Sequence, residues 1–89
     1  MRLFAVLEYA HKLIEERVRP GDIVVDATCG NGNDTVFLAE IVSDQGKVYG
    51  FDIQSEAINN TKQKLMEHGL IHRVECFQDS HGNIAQWVN

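Results

Sequence analysis

The stretch Asp26-Ala27-Thr28-Cys29-Gly30-Asn31-Gly32-Asn33-Asp34-Thr35 decides how this chain is read. It follows Ile23-Val24-Val25, a β-branched run apolar on both faces, as a strand inside a parallel sheet is. It precedes Val36, Phe37, Leu38, Ile41 and Val42, the apolar side of a helix with Asn33 or Asp34 as its N-cap. A strand that bends through Gly30 and Gly32 straight into a helix makes a ligand site. The missing Cβ atoms let the backbone turn sharply and let a ligand come close. The free N–H groups of the helix start are aimed at the same place.

Outward from the bend, the chain alternates. Ser43-Asp44-Gln45-Gly46 closes the helix, and Lys47 to Asp52 reads as a second strand. Ser55 is the expected N-cap of the next helix, with Ile58, Thr61, Leu65 and His68 on one side, Ala57 beside them and Gly69 just past its end. A third strand is expected over Arg73 to Gln78, then a loop from Asp79 to Asn83. On the other side, Leu3, Leu7, Ala10, Ile14 and Val18 recur at helical spacing, up to a turn at Pro20-Gly21-Asp22. The expected fold is therefore α/β. An N-terminal helix leads into a βαβαβ half of a Rossmann-like parallel sheet. The 89 residues allow one domain, 1–89.

Composition narrows the class. Hydrophobic residues make up 44% and charged residues 24%, an ordinary globular mixture rather than a disordered or fibrous one. No apolar run approaches the roughly 18 residues of a membrane span, and Glu8, Glu15 and Glu16 break any signal-peptide pattern, so no membrane role is expected. The formal charge of −5 argues against this stretch being a nucleic-acid surface by itself. The 2 cysteines, Cys29 and Cys76, form no metal or disulfide spacing, which fits a reducing, cytoplasmic setting; no metal is expected.

Two carboxylates give the bend its chemistry. Asp52 ends the second strand, where a carboxylate can accept both hydroxyls of a ribose. Thr35 stands where a dinucleotide fingerprint needs glycine or alanine. Asp26, close to the bend, would repel a pyrophosphate and attract the ammonium of an amino-acid moiety. That combination matches S-adenosyl-L-methionine better than NAD, and an NAD- or nucleotide-binding Rossmann domain is the weaker alternative. Cys29 reads as a small loop residue rather than a nucleophile, since no histidine or basic neighbour supports a thiolate.

D-A-T-x-G-N-G-x-D-T, followed by Phe51-Asp52-Ile53-Gln54 and later Ser80-His81, resembles the small class I methyltransferases known as putative rRNA methylases. The resemblance runs from the first helix to about His81. It implies a class I methyltransferase fold and an enzyme that uses S-adenosyl-L-methionine. It also implies an RNA substrate, a tRNA, methylated on the aminomethyl group of wobble 5-aminomethyl-2-thiouridine. Carried over residue by residue, Asp26, Gly30, Asn31, Gly32 and Asn33 would form the methionine and ribose side of the site. Asp52 would hold the ribose, Gln54 would lie near the adenosine, and Ser80 and His81 would flank the adenine edge. Asp79 is a further candidate for the adenine amino group.

Family members continue into an Asn-Leu-Gly-Tyr-Leu-Pro type strand beside the methyl group, which this chain does not reach. The expectation is therefore the cofactor-binding half of the domain, with no catalytic residue assigned; a non-catalytic cofactor-binding or assembly module is the alternative. The strand at Val24 would then have an open edge and a bare apolar face, so that the chain would form a homo-oligomer through that face or edge or be only marginally folded.

Overall fold

A computed structural model describes residues 11–79 in full and residues 3–6 in backbone. The elements are β1 (Leu3–Val6), α1 (His11–Arg17), β2 (Ile23–Asp26), α2 (Asn33–Val42), β3 (Lys47–Asp52), α3 (Ser55–Glu67), a short 3-10 turn (Ile71–Arg73) and β4 (Val74–Gln78). The strands form one sheet in the order β1-β2-β3-β4, and every pair is parallel. Each crossover advances one strand in the same direction, so right-handed connections put α1, α2 and α3 on one face.

The core lies between that face and the helices. Val24, Val48 and Val74, one from each of β2, β3 and β4, pack with Ile14, Leu38, Val42 and Leu65. Leu38 and Leu65 are fully buried, each worth about 1.5–3 kcal/mol of apolar burial. On the opposite face Phe51 and Phe77 stack with centroids 5.1 Å apart, and Tyr49 adjoins Phe77 at 6.3 Å. The end of α3 is closed by backbone alone: Gly69 N–H donates to Met66 O and Leu70 N–H to Leu65 O. That is a Schellman cap, and it places Gly69 where the sequence puts it.

The structure departs from the sequence reading at the N-terminus. Leu3 belongs to a strand, not to the helical stripe, and α1 begins at His11 among the described residues. Leu7 and Ala10 lie outside them. Leu3-Phe4-Ala5-Val6 is a short apolar run, which periodicity cannot assign to helix or strand. Its partner decides: β1 supplies the backbone groups that the second edge of β2 requires, in the register Leu3↔Ile23 to Val6↔Asp26. The open edge expected at Val24 is therefore filled by the chain itself, and Val24 is fully buried.

Smaller corrections concern helix starts. Gly32, at φ 88°, is the N-cap of α2, and Gln54, in extended conformation, is the N-cap of α3. Neither uses the side-chain cap expected of Asn33, Asp34 or Ser55. His68 is exposed at the end of α3, where it is the C-cap. Arg73 falls in the 3-10 turn, where it donates to Asp44 Oδ1 at 2.7 Å and to Ala39 O at 3.1 Å, tying the end of α2 to the start of β4.

Candidate functional site

The bend after β2 is held to the end of β3. Cys29 N–H donates to Phe51 O at 2.9 Å, and Gly30 N–H donates to Asp52 Oδ2 at 3.0 Å. The other oxygen of the same carboxylate, Oδ1, accepts Gln54 N–H at 3.0 Å. Asp52 thus has each oxygen fixed by one backbone donor. A carboxylate offers about four acceptor positions, so the remaining ones can serve a ligand. Asp52 is buried yet forms part of the wall of a cleft of about 750 Å³, a size usual for small-molecule sites.

One wall of the cleft is the bend, through Ala27, Thr28, Gly30 and Asn31. The other is the β3–α3 junction, through Asp52, Ile53 and Gln54, continued by Glu56, Ala57 and Asn60 of α3. Asp79, at the end of β4, completes it. A Cβ at Gly30 would meet nothing within 4 Å, so the bend leaves open space there. Ile53 is 71% exposed, a large apolar side chain standing in a ligand cleft.

Gly30, Asn31, Asp52 and Gln54 are brought together in this cleft. Asp26, Gly32 and Asn33 are not on its wall, and the structure gives them other tasks. Asp26 is 1% exposed and accepts the Thr35 hydroxyl at 2.7 Å and Thr28 N–H at 3.3 Å. Burial pushes its carboxyl up to about 6, although the Thr35 and Thr28 hydrogen bonds pull the other way. It ties the base of the bend to the first turn of α2 instead of facing the cleft. Gly32 packs against α3, where a Cβ would lie 2.9 Å from Thr61 Cα. Asn33 donates its N–H to Asn31 Oδ1 at 3.0 Å and accepts from Lys64 Nζ at 2.8 Å, bracing the bend against α3. Ser80 and His81 lie outside the described residues.

Cys29 is buried, and its hydrogen bond with Cys76, followed by burial, pushes its thiol well above the usual range. It is held neutral, as a packing residue is. No group of three or more potential metal ligands occurs among the described residues. No described helix is long and apolar enough to cross a membrane.

Sequence reasoning passed over Glu56, Ala57 and Asn60. Their signal was position: they lie in the first two turns of α3, directly after Asp52 and Gln54. No signal in the sequence pointed to a role for His11. The structure places His11 Nε2 2.7 Å from Asp34 Oδ1, with its ring stacked on Phe37 at 4.0 Å and 8°.

A parallel sheet with a glycine bend after one strand and a carboxylate at the tip of the next is the architecture of class I S-adenosylmethionine-dependent methyltransferases. The sequence model of the family described as "Putative rRNA methylase" matches residues 48–89. The "putative rRNA-methylase" of Clostridium thermocellum superposes with a TM-score of 0.86 and 52% identity, covering 89% of this chain and 42% of its own. The "putative methyltransferase" of Streptococcus mutans, solved in complex with SAH, superposes with a TM-score of 0.79 and 36% identity, covering 89% and 43%. The chloroplastic tRNA (mnm(5)s(2)U34)-methyltransferase of Arabidopsis thaliana is 44% identical over 74 residues, covering 78% of this chain and 27% of that protein. Over the matched residues the chain is similar to the rRNA methylase family, and it spans less than half the length of these relatives.

Proposed function

We propose that the cleft between the bend and Asp52 binds S-adenosylmethionine, and that the protein transfers its methyl group to RNA. The acceptor we assign is the aminomethyl group of wobble 5-aminomethyl-2-thiouridine in tRNA. The carrying observation is the doubly anchored Asp52 carboxylate, set in the cleft wall opposite the open side of Gly30. It suits a ribose diol, and Ile53 beside it offers an apolar surface to a base.

The charge of the cleft supports the sulfonium cofactor over a dinucleotide. Asp52, Glu56 and Asp79 line it, with no lysine or arginine among its lining residues. Three carboxylates oppose a pyrophosphate and favour a ligand carrying an ammonium and a sulfonium. Bound there, the cofactor supplies an already activated methyl carbon. The chain's part is to hold and orient it: Asp52 at the ribose, Gly30 and Asn31 along the bend, and Gln54 towards the adenosine. Displacement at a methyl carbon needs the acceptor in line, so such positioning is the main catalytic contribution. The tRNA assignment is supported by the activity in the name of the Arabidopsis relative. The acidic cleft is a cofactor site, and the RNA has to be met by other surfaces.

Calorimetry with S-adenosylhomocysteine tests the reading. Asp52→Ala should weaken binding at least tenfold, because a charge-assisted hydrogen-bond pair contributes about 1.5–3 kcal/mol. NAD should not bind. Unchanged affinity in the variant, or preference for NAD, overturns the proposal. Methyl transfer to tRNA bearing 5-aminomethyl-2-thiouridine tests the acceptor.

A further inference from the structure

Beyond the cleft, the described residues hold a second arrangement of reactive side chains at the carboxyl end of the sheet, the side on which ligands of such sheets bind. His11 opens α1, in the connection that follows β1, and Asp34 lies in the first turn of α2, beyond Gly32. Their contact of 2.7 Å brings the starts of two helices together. The imidazole is clamped from a second side by Phe37, whose ring lies 4.0 Å away and nearly parallel. Both polar side chains remain about half exposed, at 48% each. A pair serving only to join two helices gains little at that exposure. A fixed, solvent-facing imidazole with a carboxylate on one nitrogen has the arrangement of a positioned base.

Its place in the sheet order matters. The ribose anchor Asp52 ends β3, whereas His11 belongs to the β1 side of the bend. A cofactor anchored at Asp52 and running over Gly30 and Asn31 therefore points its amino-acid end away from β3, towards the side where the pair stands.

We infer that His11, oriented by Asp34, is the proton acceptor for the amine that receives the methyl group. The inference rests on the function proposed above. An alkylammonium, with a pKa near that of lysine, about 10, carries no lone pair at neutral pH and cannot attack. With Nε2–H donated to Asp34, Nδ1 of His11 takes one proton from the ammonium. The imidazolium formed is stabilised by the carboxylate on its other side. The freed nitrogen lone pair then forms the bond to the methyl carbon as the carbon–sulfur bond breaks, and that electron pair stays on the sulfur. The product is a secondary ammonium and a neutral thioether. Asp34 is the charged group hydrogen-bonded to the ring, and Phe37 stacks on it.

The test follows the His11 ring signals by NMR in the protein loaded with S-adenosylhomocysteine. The probe is an anticodon stem-loop RNA carrying 5-aminomethyl-2-thiouridine. Addition of the RNA should move the His11 signals and change their titration midpoint, and an otherwise identical RNA with unmodified uridine should do neither. In turnover, His11→Gln should lower kcat about 100-fold or more at pH 7, the usual range for losing a general base. The deficit should shrink as pH approaches 10 and solvent deprotonates the amine. His11→Gln should bind S-adenosylhomocysteine within twofold of the parent. Unmoved ring signals, no RNA binding, or a deficit equal at every pH overturns this inference while leaving the cofactor reading intact. Loss of S-adenosylhomocysteine binding by the parent protein would instead strike the function on which it rests.

Discussion

Replacing Asp26 by asparagine should stabilise the protein at pH 8 and leave it little changed at pH 4. Asp26 is 1% exposed, and burial raises its carboxyl from 3.8 to about 6. The fold therefore favours the neutral acid. Asp26 contributes its full stability below the unfolded pKa of 3.8, and that contribution is lost as pH rises through 6. The shift of about 2 units corresponds to about 3 kcal/mol. Asparagine has the same shape and never ionises. It can still accept from Thr28 N–H, and its amide can donate to the Thr35 hydroxyl that now donates to Asp26. Any change in those hydrogen bonds adds an offset that does not depend on pH. The quantity to follow is the difference in unfolding free energy between Asp26→Asn and the parent, from urea titrations at unit steps between pH 4 and 8. It should rise by about 3 kcal/mol in favour of the variant across that range. A difference that stays flat, or falls with pH, would show that the Asp26 carboxylate is not desolvated as the structure describes.

Other perturbations probe the bend and its supports. Thr35→Val removes the hydroxyl donor, so the Asp26 carboxyl should titrate above its parent value of about 6, read from its side-chain carbon shift in NMR; a lower midpoint would refute the hydrogen bond. Gly32→Ala meets a backbone at φ 88° and a Cβ placed 2.9 Å from Thr61 Cα, and should cost about 1–3 kcal/mol in thermal unfolding and weaken S-adenosylhomocysteine binding. Gly50→Ala would set a methyl 2.6 Å from Cys29 Sγ. It should destabilise by about 1–3 kcal/mol, and Cys29→Ala in the same chain should recover part of the loss; no recovery would mean that the thiol is not what Gly50 accommodates.

The legibility of the chain tracks how local each cause is. The strand Lys47–Asp52 matched its expected limits because the β-branched and aromatic run is bounded by glycine on one side and a helix start on the other. The glycine bend and Asp52 were readable for the same reason, since a tight turn and a strand-end carboxylate are fixed by a few neighbouring residues. The α/β alternation followed from apolar periodicity, and parallel pairing followed from alternation.

What lay beyond sequence depends on who meets whom. Leu3–Val6 is strand rather than helix because β2 has an edge to be paired, and that requirement is set residues away. The same run alone carries no preference strong enough to decide. Asp26 and Asp52 look alike in sequence, each an acid at a strand's end. Packing separates them: α2 brings Thr35 over Asp26 and buries it beneath the bend, while Asp52 keeps its place in the cleft wall. His11 and Asp34 are 23 positions apart, and their contact exists because β1, α1 and β2 return the chain to the start of α2. The sequence determined the bend, the alternation of elements and the cofactor class they suit, because those arise from short-range backbone chemistry. The tertiary structure alone decided which carboxylate lines the cleft and that His11 meets Asp34, because burial and proximity are properties of the assembled sheet.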